Sequence, residues 1–164
     1  MPATPYPCRI PPDDPLAEKL RTGKRVLVPA EGGSMGPKFE SVEYFLVRRL
    51  DRRFPMPGTI LLFYYSEMGW VMHRLIFWAY VKGLWRYYMK GDGNALPDFS
   101  LQACDLMGEA LAYQIDGKEV VLTGFGPRLR GLGIAARAAL PTGMTMMKRM
   151  RSRRAIIREK GSAK

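Results

Sequence analysis

A chain of 164 residues with 47% apolar and 11% aromatic side chains can bury a core of its own, which excludes a disordered polyelectrolyte despite a formal charge of +11. That charge asks for an acidic partner, whether nucleic acid, anionic lipid or acidic polypeptide. It is unevenly spread: residues 128–164 hold 11 Lys/Arg against one acid, Glu159, whereas residues 1–127 hold 15 against 14. Two cysteines, Cys8 and Cys104, a single histidine and no CxxC pair exclude a disulfide framework and a zinc site. Reduced thiols and no metal or cofactor are expected.

Residues 1–15 carry six prolines and read as an extended arm without packed structure. No apolar signal core follows. No run reaches the roughly 18 charge-free apolar residues that a spanning helix needs. The best run, Phe54 to Ser66, is interrupted by Pro55, Pro57 and Gly58 and closed by Glu67. The chain is therefore expected to be cytoplasmic or peripheral at a membrane surface, without a transmembrane anchor.

Residues 16–22 predict a short helix stopped by Gly23. Arg25 to Val28 predicts a strand running into a glycine-rich turn, Glu31 to Pro37. Val42 to Leu50 is ambiguous, but its β-branched and aromatic content leans to strand. After a turn at Pro57-Gly58 come three strands joined as hairpins: Thr59–Tyr65, Trp70–Tyr80 and Leu84–Met89. A loop, Lys90 to Asp98, precedes a segment Leu106–Gln114, a turn at Asp116-Gly117 and a strand Glu119–Leu122. Leu129 to Leu140 predicts a small-residue helix, and Thr145 to Lys160 a basic one with a ragged stripe of Met146, Met147, Met150, Ile156 and Ile157. The fold class is mostly β with minor α, built of twisted antiparallel sheets. The chain divides into an arm and helix (1–22), a body (23–123) and a basic extension (124–164).

Three residue types in the body bear on chemistry. His73 lies mid-strand, and alternation puts it on the face of Val71 and Leu75; such a lone histidine is more often a satisfied core residue than a catalyst. Ser34 sits in the glycine-rich turn, where a serine is usually only a turn residue. Asp92 and Asp98 flank a Gly/Asn/Pro loop; Asx turns explain such residues, and the carboxylate spacing of a calcium loop is missing. Together, a turn serine, a strand histidine and a loop aspartate can supply nucleophile, base and orienter.

The same residues carry a family resemblance. Gly33-Ser34-Met35-Gly36-Pro37 resembles the Ser-Met-x-Pro box of the type I signal peptidases, and Pro57-Gly58-Thr59-Ile60-Leu61-Leu62-Phe63 their Pro-Gly-Asp-Ile-Val-Val-Phe strand. Val71-Met72-His73-Arg74-Leu75 looks like the His-Arg box of the branch that uses histidine in place of lysine. Lys90-Gly91-Asp92-Gly93-Asn94 with Asp98 is similar to that branch's aspartate boxes, and Leu106-Met107-Gly108-Glu109-Ala110 to its closing strand. These five boxes follow in order over residues 25–123.

The resemblance implies the twisted-sheet peptidase fold shared with self-cleaving repressors. It implies Ser34 as nucleophile, His73 as general base, Asp98 as its orienter and Asp92 as a supporting acid, the two aspartates being interchangeable at this point. It implies an oxyanion hole at the Ser34 N–H helped by Gly32 or Gly33, and a small-residue substrate pocket shaped by Met35, which reads equally well as core filler. The expected substrate is a precursor or leader polypeptide cut after a small residue.

Departures from the pattern are Glu40-Ser41-Val42-Glu43 where the family has Gly-Asp, Thr59 in place of an aspartate, and the missing anchor. The last points to a dedicated peptide substrate rather than an exported preprotein. Alternatives are a relative that binds peptide without cutting it, and a binding protein whose residues 128–164 meet an anionic membrane surface. Nucleic acid is disfavoured, because Phe125 is the sole aromatic residue between Gly124 and Lys164.

Overall fold

A computed structural model describes residues 10–31, 33–95 and 97–140. Helix α1 (Pro15–Arg21) is followed by β1 (Val26–Pro29), β2 (Val42–Arg49), β3 (Ile60–Tyr65), β4 (Gly69–Val81), β5 (Leu84–Lys90), β6 (Phe99–Leu101), β7 (Leu106–Ile115) and β8 (Lys118–Val121). A second helix, α2, spans 125–140. The eight strands form one sheet in the order β1-β2-β7-β3-β4-β5-β6, with β8 also on β7. Every pairing is antiparallel. The mostly β expectation holds, and the ambiguous segment from Val42 is a strand that ends at Arg49.

The hairpins β3-β4-β5 form as the turn residues require. The placement of β7 is non-local: it enters between β2 and β3, beside partners 43 to 73 positions away. At this seam Arg48 stands opposite Glu109. The Arg48 Nε donates to Glu109 Oε1 at 2.7 Å, which compensates a carboxylate that is otherwise buried. Strand β3 reads as an unbroken apolar run because both its faces are covered. Ile60 and Leu62 join Leu20, Phe39, Phe45 and Val47 on one side, while Leu61 and Phe63 join Leu75, Tyr87 and Met89 on the other.

Three expectations need correction. The proline arm is not free of packing: Ile10 is only 6% exposed. Pro15 opens α1 rather than ending the arm, since proline suits a helix's first turn and Asp14 caps it by accepting the Ala17 N–H at 2.8 Å. The small-residue helix starts at residue 125, not 129. Strand β6 was not anticipated; three residues are too short for a period to show. The basic segment 145–160 and Cys8 lie outside the described residues.

Helix α2 packs on the body through two glycines. A Cβ at Gly58, whose φ is +92°, would stand 2.2 Å from the Gly131 carbonyl carbon, and one at Gly131 would stand 2.7 Å from the Gly58 oxygen. The small residues of the helix thus let backbone meet backbone. Among the described residues no helix is long and apolar enough to cross a membrane.

Gly58→Ala meets both a left-handed backbone and a steric block. It is expected to cost about 2 kcal/mol or more in urea unfolding; a change near zero contradicts this packing.

Candidate active site

The Ser34 turn is held from two sides. The Gly36 N–H donates to the Gly33 carbonyl at 2.9 Å, closing the turn. Met35 is buried in the core beside Phe39, so the serine's neighbour anchors it. The loop after β5 then lies directly on the turn: the Gly93 N–H donates to the Ser34 carbonyl at 3.1 Å. A Cβ at Gly91 would stand 2.2 Å from that same carbonyl oxygen, and one at Gly93 would stand 2.8 Å from the Gly36 Cα. Glycine is required here by close approach of two chain segments.

Strand β4 delivers His73. Its register opposite Leu61 places it on the sheet face predicted by alternation, where the rings of Phe63 and Phe99 lie at 6.1 and 5.3 Å. The imidazole is 3% exposed. Its Nε2 is 2.8 Å from Ser34 Oγ. Its Nδ1 is 3.3 Å from Asp98 Oδ2, at ion-pair separation but without hydrogen-bond alignment. Contacts of this kind commonly tighten when substrate engages.

Asp98 is tied back to β5, its N–H donating to the Met89 carbonyl at 3.1 Å. The Asn94 side-chain amide donates to its Oδ2. Burial raises the Asp98 pKa, but His73 and Asn94 outweigh burial and hold the carboxyl below its ordinary value.

Asp92 takes a different place. The Arg74 Nε and Nη2 donate to its Oδ1 and Oδ2 at 2.7 and 2.6 Å, a bidentate pair. The two aspartates are therefore not interchangeable: Asp98 faces the histidine, whereas Asp92 is occupied by Arg74. The third arm of that guanidinium donates from Nη1 to the Gly58 carbonyl at 2.7 Å. Arg74 follows His73 in sequence and so points to the opposite face, which is how one strand supplies both a site residue and the clamp on the loop beside it.

A cleft of about 610 Å³ opens beside Ser34 and His73. Its apolar lining includes Met35, Phe45, Leu62, Trp70 and Met72, with Leu16 of α1 at one wall. Met35 is thus core and cleft wall at once. The Trp70 Nε1 donates to Asp14 Oδ2 at 3.0 Å, tying the start of α1 to the cleft. Gly33 also lines the cleft; Gly32 lies outside the described residues. The roles of Arg74, Asn94 and Asp14 were missed in the sequence, although a buried-strand arginine next to two loop aspartates was a usable signal. Among the described residues no three His, Cys, Asp or Glu side chains converge on a metal position.

Comparison of the chain with protein-family models, curated proteins and solved structures finds no match.

Removing the Asp92 charge strands a buried guanidinium. Asp92→Asn is expected to lower stability by about 3 kcal/mol in urea titrations; a loss under about 1 kcal/mol contradicts the clamp. Asp98 behaves differently. Its folded-state carboxyl ionises below the ordinary value, so its contribution is complete above about pH 4 and disappears as pH falls through the lower folded value. Asp98→Asn is expected to flatten the acid limb of the stability–pH curve, and an unchanged limb contradicts the pairing with His73.

Proposed function

We propose that the chain is a serine endopeptidase of signal-peptidase type, which cuts a precursor or leader polypeptide after a small residue. The observation that carries this reading is the 2.8 Å contact between Ser34 Oγ and His73 Nε2, with Asp98 on the far nitrogen of the same ring. The order of the five sequence boxes and the mostly antiparallel sheet support it. So does the cleft, whose apolar lining suits a short extended peptide segment.

The chemistry follows from these positions. A serine hydroxyl is a weak nucleophile at neutral pH. With Nε2 accepting from Ser34, the neutral imidazole carries its proton on Nδ1, facing Asp98. Oγ attacks the scissile carbonyl carbon as Nε2 takes its proton. The Asp98 carboxylate stabilises the resulting imidazolium without being protonated. The carbonyl oxygen becomes an oxyanion, received by the Ser34 N–H with help from Gly33 or Gly32. Nε2 returns the proton to the leaving amine, the C–N bond breaks, and an ester on Ser34 remains. Water then attacks the ester, with His73 again as base, and frees both enzyme and product acid.

Asp92 touches none of the reacting atoms. It is a positioning residue, holding the loop that lies on the Ser34 turn.

The test is cleavage of a library of small-x-small peptides read by mass spectrometry. Ser34→Ala and His73→Ala are each expected to lose about 10⁴-fold or more in rate, and Asp98→Asn at least 10²-fold. Ser34→Cys is expected to keep some activity. Equal cleavage by wild type and Ser34→Ala, or none by wild type, contradicts the reading.

A further inference from the structure

Helix α2 buries one side and leaves the other uncovered. Gly131 and Ala135 face the body. On the opposite side Phe125 is 86% exposed, Leu129 57%, Leu132 40% and Leu140 71%, with Ala136 also exposed between them. At about 100° per residue these five positions fall within an arc of about 80° along four turns. Exposed Arg128 lies to one side of the stripe and exposed Arg130 and Arg137 to the other. A solvated helix face carries charge where this one carries leucine.

The surroundings share this character. Arg52 and Arg25, both exposed on the body, line clefts next to Arg128. The loop that leads to Gly58 carries exposed Phe54 and Met56. Phe54 packs on Trp78 and Trp85 at 5.1 and 4.8 Å, and Tyr80, 63% exposed, packs on Trp85. Tryptophan and tyrosine are the side chains enriched where hydrocarbon meets water. Residues 141–164 add eight Lys/Arg and one acid to the end of the helix.

We propose that helix α2 lies in the plane of an anionic phospholipid bilayer, its Phe125–Leu129–Leu132–Leu140 stripe entering the acyl boundary and its arginines meeting the headgroups. An apolar stripe bordered by cations is the pattern of an interfacial helix, and the cations that follow add attraction to acidic lipid. A second copy fits poorly, because pairing two such faces brings two strongly basic segments together. Nucleic acid fits poorly too, because its phosphates reward the arginines and leave the leucines in water. This surface is independent of the peptidase chemistry, and its test does not need activity.

The experiment is co-sedimentation of the full chain with vesicles of phosphatidylcholine alone and with 30% phosphatidylglycerol. Wild type is expected to bind the anionic vesicles at least tenfold more tightly, and less tightly as salt rises. The double variant Leu129→Glu/Leu132→Glu is expected to lose at least tenfold in that affinity with unchanged circular dichroism. Phe125→Glu, at a site exposed enough to leave folding untouched, is expected to lose severalfold. Retention of wild-type vesicle affinity by Phe125→Glu and the double variant overturns the proposal. So does a wild type that ignores vesicles, whether it then binds single-stranded DNA, associates with itself or stays monomeric.

Discussion

One buried guanidinium ties the candidate site together. Arg74 spends two donors on Asp92 and a third on the Gly58 carbonyl. Asp92 sits in the loop that packs on the Ser34 turn, and Gly58 is the point where helix α2 meets the body. The neighbouring residue on the same strand is His73. A charge this deeply buried is tolerable only when it is paired and hydrogen-bonded, so Arg74 demands that the loop, the turn and the strand each stand in one place. The 2.8 Å contact between His73 and Ser34 inherits its precision from that demand.

The interlocked glycines serve the same end by shape. Gly91, Gly93 and Gly36 let the loop and the serine turn approach to distances that any side chain would forbid. Serine in this turn is therefore held by backbone contact on one side and by Met35 in the core on the other. Asp98 is less constrained, and its pairing with the imidazole is the looser of the two contacts. The proposed acyl transfer would start from this geometry, with His73 set firmly against Ser34 and more loosely against Asp98.

What the sequence made legible was what depends on short range. The hairpins β3-β4-β5 follow from turn residues and alternation, and alternation also put His73 and Arg74 on opposite faces. The residues Ser34, His73 and Asp98 are readable as a set only through the resemblance of their boxes to those of the type I signal peptidases. What stayed hidden depends on long range. The insertion of β7 between β2 and β3 joins residues 43 to 73 positions apart, and no local period announces it. The division of labour between Asp92 and Asp98 is invisible in a loop where both are plausible, because it is decided by which one Arg74 reaches. Ile10 shows the same limit: six prolines in the first 15 residues describe backbone stiffness well and burial not at all. The charge asymmetry was plain from composition, but that α2 turns leucine outward is a fact of packing.

The proposed chemistry requires that Ser34 form a covalent ester with the acyl half of its substrate. Acid-quenching the enzyme with a cleavable peptide ester, followed by proteolytic mapping of the adduct by mass spectrometry, tests it most directly. An acyl group on Ser34, absent from His73→Ala, is the expected result. Cleavage that proceeds with no adduct, or with the adduct on another residue, would contradict it.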